Sequence, residues 1–258
     1  MAIALAATEP GEPPPRVLAL VPRPGAGDRS KSAEEEHDGA PPTPALMAAI
    51  EYGRAHGAAI EAQPVWSDNP AADIISAAQA AQVAWVLLGY HRGAFGGDTL
   101  GGVVREVFTK ARALPINFGV FIHGTDRPID RVFAAVDAGP DGRAVLALAV
   151  RIARKDRRKI RALLVPGKVA QSEAGLVEMV RDTRAKLGRL FHTDVLTKRS
   201  LQQLFSQTPG QLLIVGRKLA DEVGLPLDEV PGGDRCVIVL QGAHTNSPNA
   251  APRSDRFD

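Results

Sequence analysis

Cysteine is nearly absent from this 258-residue chain; Cys236 stands alone. A single thiol excludes a disulfide framework within the chain and a zinc site built from several thiolates, and it fits a reducing compartment. Cys236 lies in an apolar stretch, where it reads as an inert core residue rather than a nucleophile. Long hydrophobic runs are missing as well. None reaches the roughly 18 residues a membrane helix needs. The opening Met1–Ala7 has no basic flank and turns acidic and proline-rich at once, unlike a secretory signal. The chain reads as soluble. Charge of one sign is also lacking: 31 Lys and Arg stand against 29 Asp and Glu, a net charge of +2, which leaves no footprint for nucleic acid.

The signatures of catalysis are equally scarce. His37, His56, His91, His123, His192 and His244 are scattered, with no pair at metal-ligand spacing. There is no Gly-x-Ser-x-Gly elbow and no Walker lysine loop. The densest charge is the basic run Arg151–Arg161, whose simplest reading is a solvated helix end, where cations suit the dipole. An anionic lipid or protein partner is the alternative. The reading is a protein that is not an enzyme.

What is present is the composition of an ordinary globular protein, 45% hydrophobic and 23% charged, long enough for one large domain or two smaller ones. Pro22–Pro44, with Glu34, Glu35 and Glu36, reads as a mobile loop, and residues 243–258 read as a disordered tail. Between them, β-branched runs alternate with amphipathic helical stretches, the pattern of βα units and a largely parallel sheet.

That pattern occurs twice. Arg16–Pro22 and Arg161–Pro166 are strand-like runs that end in proline. A helix follows each (Ala45–Ala55; Glu173–Leu187), then a strand (Ala59–Val65; Leu190–Leu196) and a second helix (Ala71–Ala81; Ser200–Ser206). Val83–Gly89 then matches Gln211–Gly216, each a buried strand ending at glycine, and Ile116–Ile122 and Cys236–Leu240 close the two copies. The first copy covers 1–126 and the second 127–242. The second carries an extra leading unit, strand Arg131–Asp137 and helix Arg143–Lys155. In the first copy only Ile3–Ala7 has the makings of that strand. Thr8–Pro15, half of it proline, is too short for a crossover helix. The expectation is a fragment cut from a longer chain.

Between the matched strand and the next helix of the first copy runs Gly89-Tyr90-His91-Arg92-Gly93-Ala94-Phe95-Gly96-Gly97-Asp98-Thr99-Leu100-Gly101-Gly102. The loop leaves the carboxyl edge of the sheet, where open α/β folds place ligands. Glycines let a phosphate approach the backbone, and a helix starting near Gly101 or Gly102 would aim free N–H groups at it. Arg92 and Arg105 add positive charge, while Tyr90 and His91 offer stacking or hydrogen bonds to a base or ribose.

These features resemble the universal stress protein fold. Gly89 and Gly101 take the first and last glycine positions of that family's nucleotide loop, one residue closer together. The family's second glycine falls on Arg92, beside Gly93, and its Ser/Thr on Gly102. The run Leu88-Gly-Tyr-His-Arg, continuing to Leu100-Gly-Gly-Val-Val-Arg-Glu-Val107, is similar to the tandem cytoplasmic domains of bacterial cation/proton antiporters and some amino-acid transporters.

The resemblance implies two tandem parallel-sheet sandwiches (the adenine nucleotide alpha hydrolase-like fold) packed as a pseudo-dimer, with 116–122 pairing with 236–240. It implies a regulatory domain on the cytoplasmic side of a transporter, partnered by the transmembrane portion of the same protein and forming a homodimer. An adenine nucleotide (ATP, AMP, or a cyclic mono- or dinucleotide such as cyclic di-AMP) would bind at Gly89, Tyr90, His91, Arg92, Gly93, Gly101, Gly102 and Arg105. Asp137, at the end of the second copy's first strand, occupies the family's place for an acid near the adenine and ribose. Asp137–Gly142 is also a strong turn and helix-cap signal, and for Asp137 that plainer reading is preferred. The alternatives are a ligand-free dimerisation and assembly module, and a slow ATPase using Asp98 as metal ligand.

Overall fold

The computed structural model describes residues 16–22, 40–55, 57, 59–90, 102–125, 129–166, 170–207, 210–230 and 233–243. The chain packs as two compact units, Met1–Ser76 and Ala77–Asp258.

In the first unit, β1 (Arg16–Pro22) and β2 (Glu61–Ser67) form a two-stranded parallel sheet with Arg16 opposite Glu61. A parallel pair needs a crossover, and here it contains α1 (Pro44–Ala55), which buries Leu46 and Gly53. The strand expected at 59–65 lies two residues later and accommodates Pro64, a donor-less residue tolerated on an edge strand. Helix α2 (Pro70–Ala80) follows, and the division between the units falls within it.

Several helices begin earlier than apolar spacing suggests, because proline and capping side chains set their starts. Pro44 and Pro70 each occupy the first helical position, where the missing N–H costs nothing. Thr43 Oγ1 accepts from Leu46 N (3.2 Å) and Asn69 Oδ1 from Ala72 N (3.1 Å), each satisfying an N–H with no intrahelical partner.

The second unit is built on one seven-stranded sheet. Its elements are β3 (Trp85–Tyr90), α3 (Gly102–Ala111), β4 (Asn117–Ile122), β5 (Arg131–Val136), α4 (Pro140–Asp156), β6 (Ile160–Leu164), α5 (Ala170–Leu187), β7 (Phe191–Val195), α6 (Lys198–Gln207), β8 (Gln211–Gly216), α7 (Arg217–Val223) and β9 (Cys236–Gln241). The strand order is β3-β4-β9-β8-β5-β6-β7. Every neighbouring pair is parallel except β4 and β9, which run antiparallel with Val120 opposite Val239. The pairing expected between 116–122 and 236–240 is therefore present. Strands β3 and β4 point one way and the other five point back.

The core lies along this sheet, with Phe118, Ile122, Leu213, Ile214, Ile238 and Leu240 at 0–2% exposure. Strand β8, held between β9 and β5, is buried at all six positions. Its sequence counterpart β3 has one hydrogen-bonded neighbour among the described residues and is only half-buried. Cys236 is buried and free, its Sγ 3.9 Å from Thr125 O, as its apolar setting suggested.

Candidate functional site

Strand β3 runs on through Gly89 and Tyr90, which stand opposite Phe121 and Ile122 of β4. Gly89 is exposed and Tyr90 half-buried. Helix α3 begins at Gly102, also exposed, and buries Val104, Val107, Phe108 and Ala111 on one face. Arg105 lies on the exposed side, one turn in. His91, Arg92, Gly93, Asp98 and Gly101 lie outside the described residues, as do Ile3–Ala7, most of the 22–44 loop and the 244–258 tail.

The two glycines bounding this loop are not required by the fold. A Cβ added at Gly89 or Gly102 meets nothing within 4 Å, and neither residue has a positive φ. Helix α3 opens at Gly102, and its first-turn N–H groups, like those of any helix, have no intrahelical partners. Its far end is tied down. Phe108 O, one of the last four carbonyls of α3, accepts from Gln241 Nε2 (2.9 Å), and Gln241 Oε1 accepts from Arg217 (3.2 Å). The Arg217 guanidinium also lies 4.9 Å from the centroid of the Phe108 ring, within cation–π range.

The corresponding edge of the second copy has a different build. There is no long loop after β8, because α7 starts at Arg217, directly after the strand, and ends in a left-handed Gly224 (φ 66°). The stretch 217–223 is therefore helix and holds no counterpart of the first copy's glycine-rich loop. Asp141, in the first turn of α4 and 9% exposed, reaches across to it. Asp141 Oδ2 accepts from Lys218 N (3.2 Å), and Oδ1 accepts from Gly242 N (2.8 Å) at the end of β9. Glycines make room for this cross-tie: a Cβ at Gly216 would lie 2.7 Å from Asp141 Cβ, and one at Gly242 would lie 2.2 Å from Pro140 O. Sequence reasoning missed Asp141 because its partners lie 77 and 101 residues away.

Asp137 follows β5 and accepts from Gly139 N at Oδ1 (3.3 Å), the turn the plainer reading expected. Because β4 and β9 run antiparallel, the carboxyl ends of β3 and β5 lie at opposite edges of the sheet. Asp137 and the Gly89–Gly102 loop of one chain thus do not share a site. An open cleft of about 390 Å³ lies at the carboxyl ends of β6 and β7, lined by Val165, Pro166, Val195, Leu196, Thr197 and Lys198. The one charged residue in that lining, Lys198, pairs with Glu222.

Burial pushes the Asp137 carboxyl above its ordinary range, and the nearby Asp141 adds to this against the opposing hydrogen bond from Gly139. The sign for stability follows. A folded-state pKa above the unfolded 3.8 means the folded chain holds more protons between the two values, so this group's contribution falls as pH rises through that window. Asp137→Asn keeps the turn acceptor and removes the buried charge. The variant is expected to unfold at higher urea than the parent at neutral pH, with the difference shrinking as pH falls from neutral toward about 4. A constant difference across that range would contradict the account.

No protein-family model and no curated protein sequence matches the chain. Among solved structures, it is similar to a universal stress protein from Archaeoglobus fulgidus at 15% identity and a TM-score of 0.51, with 89% of this chain and 88% of that one covered. It is also similar to the cytoplasmic domain of a prokaryotic cation chloride cotransporter, at 11% identity and a TM-score of 0.52, with 89% and 86% covered. At these identities the likeness is one of fold: α/β, with a mostly parallel sheet of the universal-stress-protein kind. Among the described residues, no helix is long and apolar enough to cross a membrane.

Proposed function

We propose that the chain is a non-catalytic regulatory domain on the cytoplasmic side of a membrane transporter of the cation/proton antiporter kind. Two copies of one α/β unit pack as a pseudo-dimer, and the first copy takes an adenine nucleotide (ATP, AMP or cyclic di-AMP) at the loop from Gly89 to Gly102. The observation that carries this reading is the pair of exposed glycines at the loop's ends, which neither packing nor backbone conformation demands. Glycine in such a place suits close approach by something other than the protein itself. The start of α3 adds first-turn N–H groups that have no intrahelical partner and the positive end of a helix dipole, which suit phosphate. In the second copy the equivalent helix start is engaged by Asp141, so the reading is one site per chain. The shared fold with a transporter's cytoplasmic domain supports the setting. Nucleotide would act by binding one state of the transporter better than another.

Thermal unfolding against ATP, ADP, AMP, cyclic AMP and cyclic di-AMP, each with and without magnesium, tests this. A ligand at ~100 times its Kd stabilises by about 2.7 kcal/mol, a shift of several degrees. Gly102→Asp separates binding from folding. A carboxylate at the start of α3 suits the helix dipole, so the unliganded midpoint should hold or rise slightly. The same charge repels phosphate, so the nucleotide-induced shift should vanish. If no nucleotide at millimolar concentration moves the parent midpoint, the reading fails, and a ligand-free assembly module takes its place.

A further inference from the structure

Two turns of the second unit carry its positive charge. Helix α4 ends at Asp156 and β6 starts at Ile160; α5 ends at Leu187 and β7 starts at Phe191. Both connections are three residues long, and each passes through a left-handed residue just beyond its helix, Arg157 (φ 50°) and Gly188 (φ 52°). Strands β6 and β7 are parallel neighbours with Ile160 opposite Phe191, so the two turns lie level and side by side at the amino edge of these strands.

Residues 154–159 and 184–189 together hold eight Lys and Arg and one Asp, a charge of +7. The whole chain carries only +2, so every other residue taken together is net −5. The cations are exposed except the half-buried Arg158, which donates to Ile129 O. Nearby, Arg161 and Asp194 neutralise each other. Helix dipoles explain little of this. Each helix end contributes about half a negative charge, so two ends call for about one cation, not seven.

We infer that this edge, through Arg154–Lys159 and Arg184–Arg189, docks the chain on an anionic lipid bilayer surface. The placement favours lipid over nucleic acid. The two turns hold no aromatic residue on which a base would stack, and Phe191 beside them is buried. Outside the two turns, residues 77–258 hold 18 Lys and Arg against 17 Asp and Glu, so that stretch offers little further positive charge for a polyanion to follow, whereas a flat anionic surface needs only the basic edge. This docking does not depend on nucleotide binding, although β3 ends on the same edge of the sheet, at the far end of the strand order.

The test is co-sedimentation of the full chain with phosphatidylcholine vesicles, with and without phosphatidylglycerol. The chain should sediment only with the anionic vesicles and be released by salt. The variant Lys155→Gln/Arg157→Asn/Lys159→Gln/Arg189→Gln should lose more than about a hundredfold in partitioning, given the attraction each cation feels near such a surface. Asparagine tolerates the left-handed backbone at 157, and circular dichroism checks that the variant folds. A matched control, Lys110→Gln/Arg112→Gln/Arg199→Gln/Lys218→Gln, removes the same charge from the opposite edge and should keep most of the binding. Equal losses in both variants, absence of binding to anionic vesicles, or stronger retention on duplex DNA than on vesicles would each overturn the inference.

Discussion

Gly142→Ala should destabilise the second unit by about 3 kcal/mol or more, lowering its unfolding midpoint by roughly ten degrees. Gly142 is the third residue of α4 and sits against the end of β5. A Cβ there would lie 2.0 Å from Asp137 O, 2.7 Å from Asp137 Oδ1 and 2.9 Å from Asp137 C. The principal clash is with backbone at the end of a central strand, so no rotamer change relieves it. Either α4 lifts from the sheet or β5 shifts within its ladder with β6 and β8. Domains of this size are stable by only about 5–15 kcal/mol, so the loss is a large share. Gly89→Ala is the contrast: with open space at its Cβ and an ordinary φ, it should be neutral or slightly stabilising. Urea unfolding of both variants checks the pair, and similar midpoints for the two would show that the β5–α4 turn is looser than described.

Asp141→Ala should cost about 2–4 kcal/mol, the next largest effect. Its carboxylate accepts two backbone N–H groups, from Lys218 and Gly242, which belong to different elements and have this side chain in common. Alanine leaves both donors without that acceptor in a site with little access to water, and it unties the start of α7 and the end of β9 from α4. Asp141→Asn should cost less, because the amide oxygen still serves one donor while its NH2 confronts the other. The expected order of urea midpoints is parent, Asn, Ala, with unchanged slope. A parent-like midpoint for the alanine variant would reduce the cross-tie to a surface contact.

Much of the second copy was legible in the sequence because its strands are continuous apolar runs between turn residues. Arg131–Val136, Gln211–Gly216 and Cys236–Gln241 fall within a residue of where composition places them. The pairing of β4 with β9 was expected from the family resemblance rather than from composition or spacing. Helix starts were read late because apolar periodicity begins after the cap. The sequence does carry the signal: Pro44, Pro70 and Pro140 at first helical positions, with Thr43 and Asn69 as caps at two of them. The seven-residue α7 was too short to show a period, although Gly224 marks its end. The roles of Asp141 and Gln241 were not legible, since they depend on partners brought together only by the sheet. At the candidate site, the sequence indicated the glycines, but not that Gly89 and Gly102 stand clear of packing while Gly142, Gly216 and Gly242 are pressed against it.

The most direct test of a single nucleotide site in the first copy is the backbone amide spectrum of the chain during titration with ATP or cyclic di-AMP. The account predicts that the amides of Gly89, Tyr90, Gly102, Val103 and Val104 shift with a common Kd, while Lys218 and Gly242, already bonded to Asp141, stay in place. Shifts centred on 137–142 and 216–218, or no shift at millimolar nucleotide, would contradict it.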